Sequence, residues 1–393
     1  MIAVFLAPLY ILVNVLIGIG FNKWLNVAIN MYSKKVHKTI FLGTYILFSS
    51  SILLGFLLPK GQLKRIFALF GNYYLGILLY LGIFSLTAYL IYLFFLKNKK
   101  FNARKVKSKK TMYYIGLTVI ILTVGITILG VINARWIRTT RYDINIPKET
   151  SLESLKIVMV ADMHMGYNTG VDLMSKMVDK INKEDPDVVI MAGDIFDNDY
   201  DALDYPESLK NIFLGIKSKY GVYAIHGNHD IYEKVLAGFS FSFLEKTIDK
   251  RMDEFLKEAN ITVLEEDGTY IADNIYVYGR PDYYLLKQIG NVRLTPDEIK
   301  LKEDDINIIV DHQPRELEEL SKNNVDLDLG GHTHDGQLFP GNLLCHLTYK
   351  NSYGLKKFGN MTSIVTSGVG VFGPNMRVLT KSEITVINVT FNK

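Results

Sequence analysis

The first acidic residue of this chain is Asp143, and that delay constrains the fold more than any other feature. Of the 44 Lys and Arg residues 18 lie before it, so the opening third carries +18 without an acid, and the remainder, with 26 basic against 40 acidic residues, carries −14. The basic residues sit between charge-free apolar runs at about 2–22, 39–58, 72–96 and 112–133, each near the ~20 residues that cross a bilayer core. Four such runs in succession predict a transmembrane anchor over 1–134, followed by a linker at 135–154 and a globular domain over 155–393. Tyr73, Tyr74, Tyr113, Tyr114 and Trp136 fall at run ends, where amphipathic rings sit at the headgroup level. The first run lacks a charged leading segment and a small-residue cleavage site, so it is expected to be a retained helix.

Orientation follows from the basic gaps. Lys23, Lys34, Lys35 and Lys38 lie in the first, Lys60, Lys64 and Arg65 in the second, and eight lysines and arginines between Lys97 and Lys110 in the third. Holding the first and third gaps in the cytoplasm places both termini and the globular domain outside, although Arg135, Arg138 and Arg141 pull the other way. Basic residues confined to span ends, ahead of an acidic domain, exclude nucleic acid as the preferred partner. The spans contain no ionisable acid or base, which argues against an ion pathway. The single cysteine, Cys345, excludes an intramolecular disulfide and a CxxC zinc motif.

From residue 155 the pattern changes to short β-branched runs alternating with amphipathic segments. Strands are expected at 156–160, 188–191, 222–225, 261–264, 275–278, 306–310, 325–329, 363–366 and 384–389, and helices at 171–183, 207–217, 243–258 and 315–322. This alternation predicts a layered α/β domain with its functional loops at strand ends.

Five short segments place metal-capable side chains directly after predicted strands: Asp162-Met163-His164, Gly193-Asp194, Gly227-Asn228-His229-Asp230, His312, and Gly331-His332-Thr333-His334. Five of the eight histidines fall in them. A lone His or Asp at a strand end is usually a cap; the ordered set is not explained that way. Imidazole, carboxylate and amide oxygen without thiolate suit two divalent ions of the Mn, Fe or Zn kind. Such a pair, sharing one carboxylate, activates water for attack on phosphorus. Asp194, after Gly193, suits the shared position.

The order DxH, GD, GNHD, H, GHTH resembles the calcineurin-like metallophosphoesterase superfamily over roughly residues 155–390, and flanking residues are similar to its bacterial membrane-associated branch. The resemblance implies a four-layer αββα sandwich behind the four-helix anchor. It also implies that Asp162, His164 and His334 hold one metal, that Asn228, His312 and His332 hold the other, and that Asp194 bridges them. His229 would donate to the phosphoryl or leaving oxygen, oriented by Asp230. Asp335 stands where similar enzymes carry glycine and, with Arg280 and Arg377, is a candidate substrate contact. Asp197, Asp199 and Asp201 read as a solvated loop, with a direct role at the site as the lesser alternative. Phe239, Phe241 and Phe243 read as core, or as a greasy rim; His37, His226 and Cys345 read as structural.

The expected activity is hydrolysis of a phosphomonoester or phosphodiester by a metal-bridging hydroxide. A lipid-linked phosphate is preferred, because tethering raises the local concentration of membrane substrates. The alternatives are a nucleotide or other soluble phosphodiester and, in another class, a membrane sensor or scaffold that holds metal without turnover.

Overall fold

The computed structural model of the chain describes residues 2–29, 32, 34–236, 239, 240 and 246–392. They form two compact units, one of residues 1–131 with 235–243 and 373–376, the other of residues 132–234, 244–372 and 377–393.

The first unit is built on helices α1 (Ile2–Ala28), α2 (Lys35–Leu57) and α3 (Gln62–Lys97), the short α4 (Ala103–Val106) and most of α5 (Lys109–Arg135). All but α4 are long and apolar enough to cross a membrane. α3 begins ten residues before the charge-free run, because Lys64 and Arg65 continue the helix while their long stems carry the charge outward. Leu12, Leu16, Leu86 and Leu129 point outward and exposed, as expected of helices solvated by lipid. Polar side chains tie the helices together inside. Tyr74 donates to Asn14 Oδ1 at 2.6 Å and Tyr45 to the Asn14 carbonyl at 2.7 Å. Gly55 and Gly71 bring α2 and α3 into backbone contact: a Cβ on Gly55 would lie 2.8 Å from Ala68 Cα. The paired strands β6 (Val235–Leu236) and β7 (Phe239–Ser240) also belong to this unit. Of the three alternating phenylalanines, Phe239 is described only as β7 backbone, and Phe241 and Phe243 lie outside the described residues.

The second unit contains two six-stranded sheets. The first comprises β1 (Ile137–Glu149), β2 (Ser154–Val160), β3 (Val188–Ala192), β4 (Val222–Ile225), β9 (Thr262–Val263) and β16 (Ser382–Asn392), in the order β1-β16-β2-β3-β4-β9. The second comprises β10 (Asp267–Ala272), β11 (Ile275–Arg280), β12 (Ile306–Asp311), β13 (Leu327–Gly330), β14 (Gly354–Phe358) and β15 (Met361–Val365), in the order β10-β11-β12-β13-β15-β14. A small ribbon pairs β5 (Tyr232–Glu233) with β8 (Lys246–Thr247).

Side-chain alternation builds the layers. In β2, Leu155, Ile157 and Met159 enter the core shared with Ile306, Ile308 and Leu329 of the second sheet. Val158 and Val160 face the opposite core, formed with α6 (Val171–Lys183), α7 (Pro206–Leu214) and α8 (Lys250–Glu258). Both faces of β2 are therefore apolar, as a strand buried on both sides requires. Beyond the second sheet, Tyr278 and Ile309 pack on Leu317 and Leu320 of α10 (Leu317–Leu320), in the fourth layer; α9 (Tyr283–Gln288) precedes it in the chain. The architecture is the expected αββα sandwich.

One segment departs from expectation. The stretch 135–154, read as a linker, contains β1, an edge strand parallel to β16 from Ile137 opposite Ser382 to Ile146 opposite Phe391. Its period is masked by Arg141, Asp143 and Asn145, which take the open face of an edge strand.

Candidate metal centre

The sandwich gathers the predicted ligands because β2, β3, β4, β12 and β13 run parallel within their sheets and end on the same side of the domain. The turns after them are tight. Asp162, His164, Asp194, His332 and His334 all have positive φ, between 44° and 71°. Non-glycine residues pay for that conformation in strain, and such outliers concentrate at functional sites. Glycine is required where loops cross: a Cβ on Gly227 would lie 2.2 Å from Asp194 Oδ1.

The structure brings the expected metal-capable side chains together in two donor groups. Asp162, His164 and His334 offer ligand atoms within 4.8 Å of one another, and so do Asp194, His312 and His332. Asp194 lies between them, its Oδ2 3.1 Å from His312 Nε2 and 3.6 Å from His164 Nε2. His312 Nδ1 is 2.8 Å from the Ala192 carbonyl, which takes its proton and leaves Nε2 free to ligate. The test of fit is Asn228: its Oδ1 is buried and accepts no hydrogen bond from the described residues, an orphaned acceptor that a cation in the second group would satisfy.

The electrostatics fit the same occupant. Burial alone would raise Asp194, but His312, His229 and His164 hold its carboxyl well below the usual range. Burial pushes Asp162 up to about 6 against the pull of His312. Burial, helped by His312, lowers His332 to about 3, keeping the imidazole neutral as metal ligation needs.

His229 stands beside the groups. Its backbone N–H donates to Asp194 Oδ1 at 2.8 Å, and its ring meets His164 and Phe372 edge-on at centroid distances of 5.0 and 4.9 Å. Its expected orienter is corrected. Asp230 accepts from the Phe196 and Gly227 amides, both at 2.7 Å, and so locks the two strand-end loops together. The group bonded to His229 Nδ1 is instead Asn198 Oδ1, with the Asn198 N–H donating to the His229 carbonyl at 3.0 Å. Sequence reasoning missed Asn198; its signal was its place four residues after Asp194.

The acidic run also divides. Asp197 Oδ1 lies 3.5 Å from His164 Nδ1 and joins His164 and His229 in a third donor group, contrary to its reading as solvated loop. Asp199 and Asp201 do fit that reading: Asp199 caps the Asp201 amide and Asp201 pairs with Arg251.

Both candidate phosphate-binding arginines are fully buried, which corrects their expected role. The Arg280 guanidinium reaches Asp311 and Glu316, each at 2.9 Å, and Arg293 grips the same two acids. Arg377 donates to the carbonyls of Ser367, Gly370 and His334 and so braces a ligand loop from behind. Asp335 lies outside the donor groups, 3.3 Å from His346 Nε2.

Residues 155–336 match the family model for calcineurin-like phosphoesterases. The chain is 30% identical over 286 residues to an uncharacterized metallophosphoesterase of Campylobacter jejuni, covering 70% of each. It is 30% identical over 278 residues to a zebrafish (Danio rerio) transmembrane protein with metallophosphoesterase domain, covering 68% of this chain and 61% of that protein. Against an uncharacterized metallophosphoesterase of Helicobacter pylori it is 31% identical over 238 residues, 59% of each chain. With the donor residues, the two-sheet architecture and these relatives in agreement, the chain belongs to the calcineurin-like metallophosphoesterase family.

Proposed function

We propose that this protein is a membrane-anchored hydrolase of phosphomonoesters or phosphodiesters that uses two divalent ions, of the Mn, Fe or Zn kind, with a lipid-linked phosphate as its substrate. The observation that carries the reading is Asp194 between two compact donor groups, together with the buried, unsatisfied Asn228 oxygen. Asp162, His164 and His334 would hold one ion, and Asn228, His312 and His332 the other, with Asp194 shared. When bound, the ions supply Lewis acidity toward phosphoryl oxygens and activation of water at neutral pH.

The chain's own residues complete the site. Asn198 fixes the ring of His229 through Nδ1, which leaves Nε2 to handle a proton at the phosphoryl or leaving oxygen. Asp230 holds the loop that carries His229, and Phe372 closes one side of the ring. Asp335, near the ligand loop, is the remaining candidate for a substrate contact. The basic gaps after the first and third spans support an extracytoplasmic catalytic domain.

The test is turnover by the full chain in lipid nanodiscs, with each metal, against an aryl phosphate, an aryl phosphodiester, a nucleotide and a phosphatidic acid. Metal-dependent hydrolysis abolished by chelation is the expected result. Undiminished hydrolysis by metal-free protein would overturn the mechanism, and preference for the nucleotide would replace the lipid substrate.

A further inference from the structure

The helix that follows the last ligand loop, α11 (Gly341–Thr348), buries none of its residues. Leu343, Leu344 and Leu347 are 52%, 66% and 84% exposed, and their spacing puts them on one stripe of the helix. Leu379 adds to the exposed leucines at 72%. It holds φ at +60°, a conformation that is an outlier for a bulky side chain, so the backbone is strained where this leucine faces out.

Hydrogen bonds inside the catalytic unit connect these leucines to the end of a membrane span. Asn133, in the last turn of α5, donates through Nδ2 to the carbonyls of Arg377 and Thr380, at 3.0 and 2.6 Å, and so clasps the loop that bears Leu379. The Phe339 amide donates to the Val378 carbonyl at 3.1 Å, and Phe339 leads two residues later into α11. Just past the span, Trp136 is exposed with Arg138 over its ring, a pair suited to the headgroup layer. On the other side α11 is fastened to the ligand loop: Cys345 Sγ meets the Thr333 carbonyl at 3.8 Å and His346 reaches Asp335. A continuous path therefore runs from the end of α5, through the exposed leucines, to His334.

We propose that Leu343, Leu344, Leu347 and Leu379 form an interfacial docking surface, seated in the headgroup and upper acyl region of the bilayer that α5 crosses. Four exposed leucines beside the point where a span ends have lipid as their nearest apolar solvent, and an amphipathic helix in that position lies in the plane of the interface. The surface delivers the ligand loop to phosphate carried on lipid; that consequence rests on the phosphoesterase reading, whereas the docking does not.

Docking is read without turnover. In full-length protein carrying Cys345→Ser and reconstituted in phosphatidylcholine vesicles, a fluorophore on Leu347→Cys should be quenched by a nitroxide on the upper acyl chain and shielded from aqueous iodide. The same fluorophore on Glu254→Cys, in the outer helical layer, provides the water-exposed reference. A second arm uses Leu344→Gln with Leu347→Gln, expected to lower turnover of vesicle-borne phosphatidic acid at least about tenfold while leaving soluble aryl phosphate unchanged. Iodide quenching at position 347 equal to the reference overturns the docking surface. Lipid quenching in a protein that hydrolyses no phosphoester upholds docking and refutes the phosphoesterase reading alone.

Discussion

The loops leaving the first sheet bring Asp162, His164, Asp194 and Asn228 to the candidate metal centre, whereas those leaving the second bring only imidazoles, His312, His332 and His334. The second sheet has carboxylates too, but Asp311 is held by Arg280 and Arg293, and Asp328 accepts from Ser363 within the sheet. One sheet thus supplies the carboxylates of the candidate centre, and the other supplies imidazoles braced by buried ion pairs. Losing charge on the first side should therefore weaken metal binding and turnover, while losing a brace on the second should cost folding stability.

Asp194→Asn tests the first side most severely. On the proposed reading this residue is shared by both ions, so metal occupancy and turnover should fall further than in Asp197→Asn; elemental analysis and initial rates decide it, and equal losses would remove the bridging role. His229→Ala should retain metal yet slow turnover by roughly 10² to 10⁴, the range for a positioned proton donor. The loss should shrink for substrates with good leaving groups, and a parallel fall in metal content would make His229 a ligand instead.

On the second side, Arg280→Met leaves Asp311 and Glu316 with Arg293 alone. Breaking such a buried pair costs about 3 kcal/mol, which denaturation should show, with activity per folded molecule preserved. Lost activity at unchanged stability would restore Arg280 to the substrate site. The smallest expected effect is in pH. Asp162, pushed up to about 6, holds a proton below that value, and a metal must displace it. His164 and His312, which Asp197 and Asp194 raise against burial, must also release protons to a metal, so affinity should fall continuously as pH drops from 7.5 to 5, as calorimetric titration would show.

The sequence made the two units legible for different reasons. The spans were visible because lipid leaves apolar runs unbroken, and the ligands because parallel strands deliver their following residues to one end. Helix 171–183 and strand 222–225 coincide with their expected limits. What stayed hidden depends on neighbours distant in sequence. β1 is a strand because β16, more than 240 residues away, pairs with it. Asn198 takes the place expected of Asp230 because only the packed loops determine which of them faces the His229 ring. Arg280 and Arg377 resemble phosphate ligands until their buried partners are seen. The exposed leucines of α11 follow a His-rich loop with no signal that they lack a core to enter.

On the proposed reading the centre works as a shared pair of ions. Titrating Mn, Fe or Zn into the metal-free full-length protein while following aryl phosphoester turnover tests it most directly. Little turnover is expected with the first equivalent, with a rise that reaches its plateau at about two per chain, as a carboxylate shared by two ions requires. A plateau at one equivalent, or turnover without metal, would contradict it.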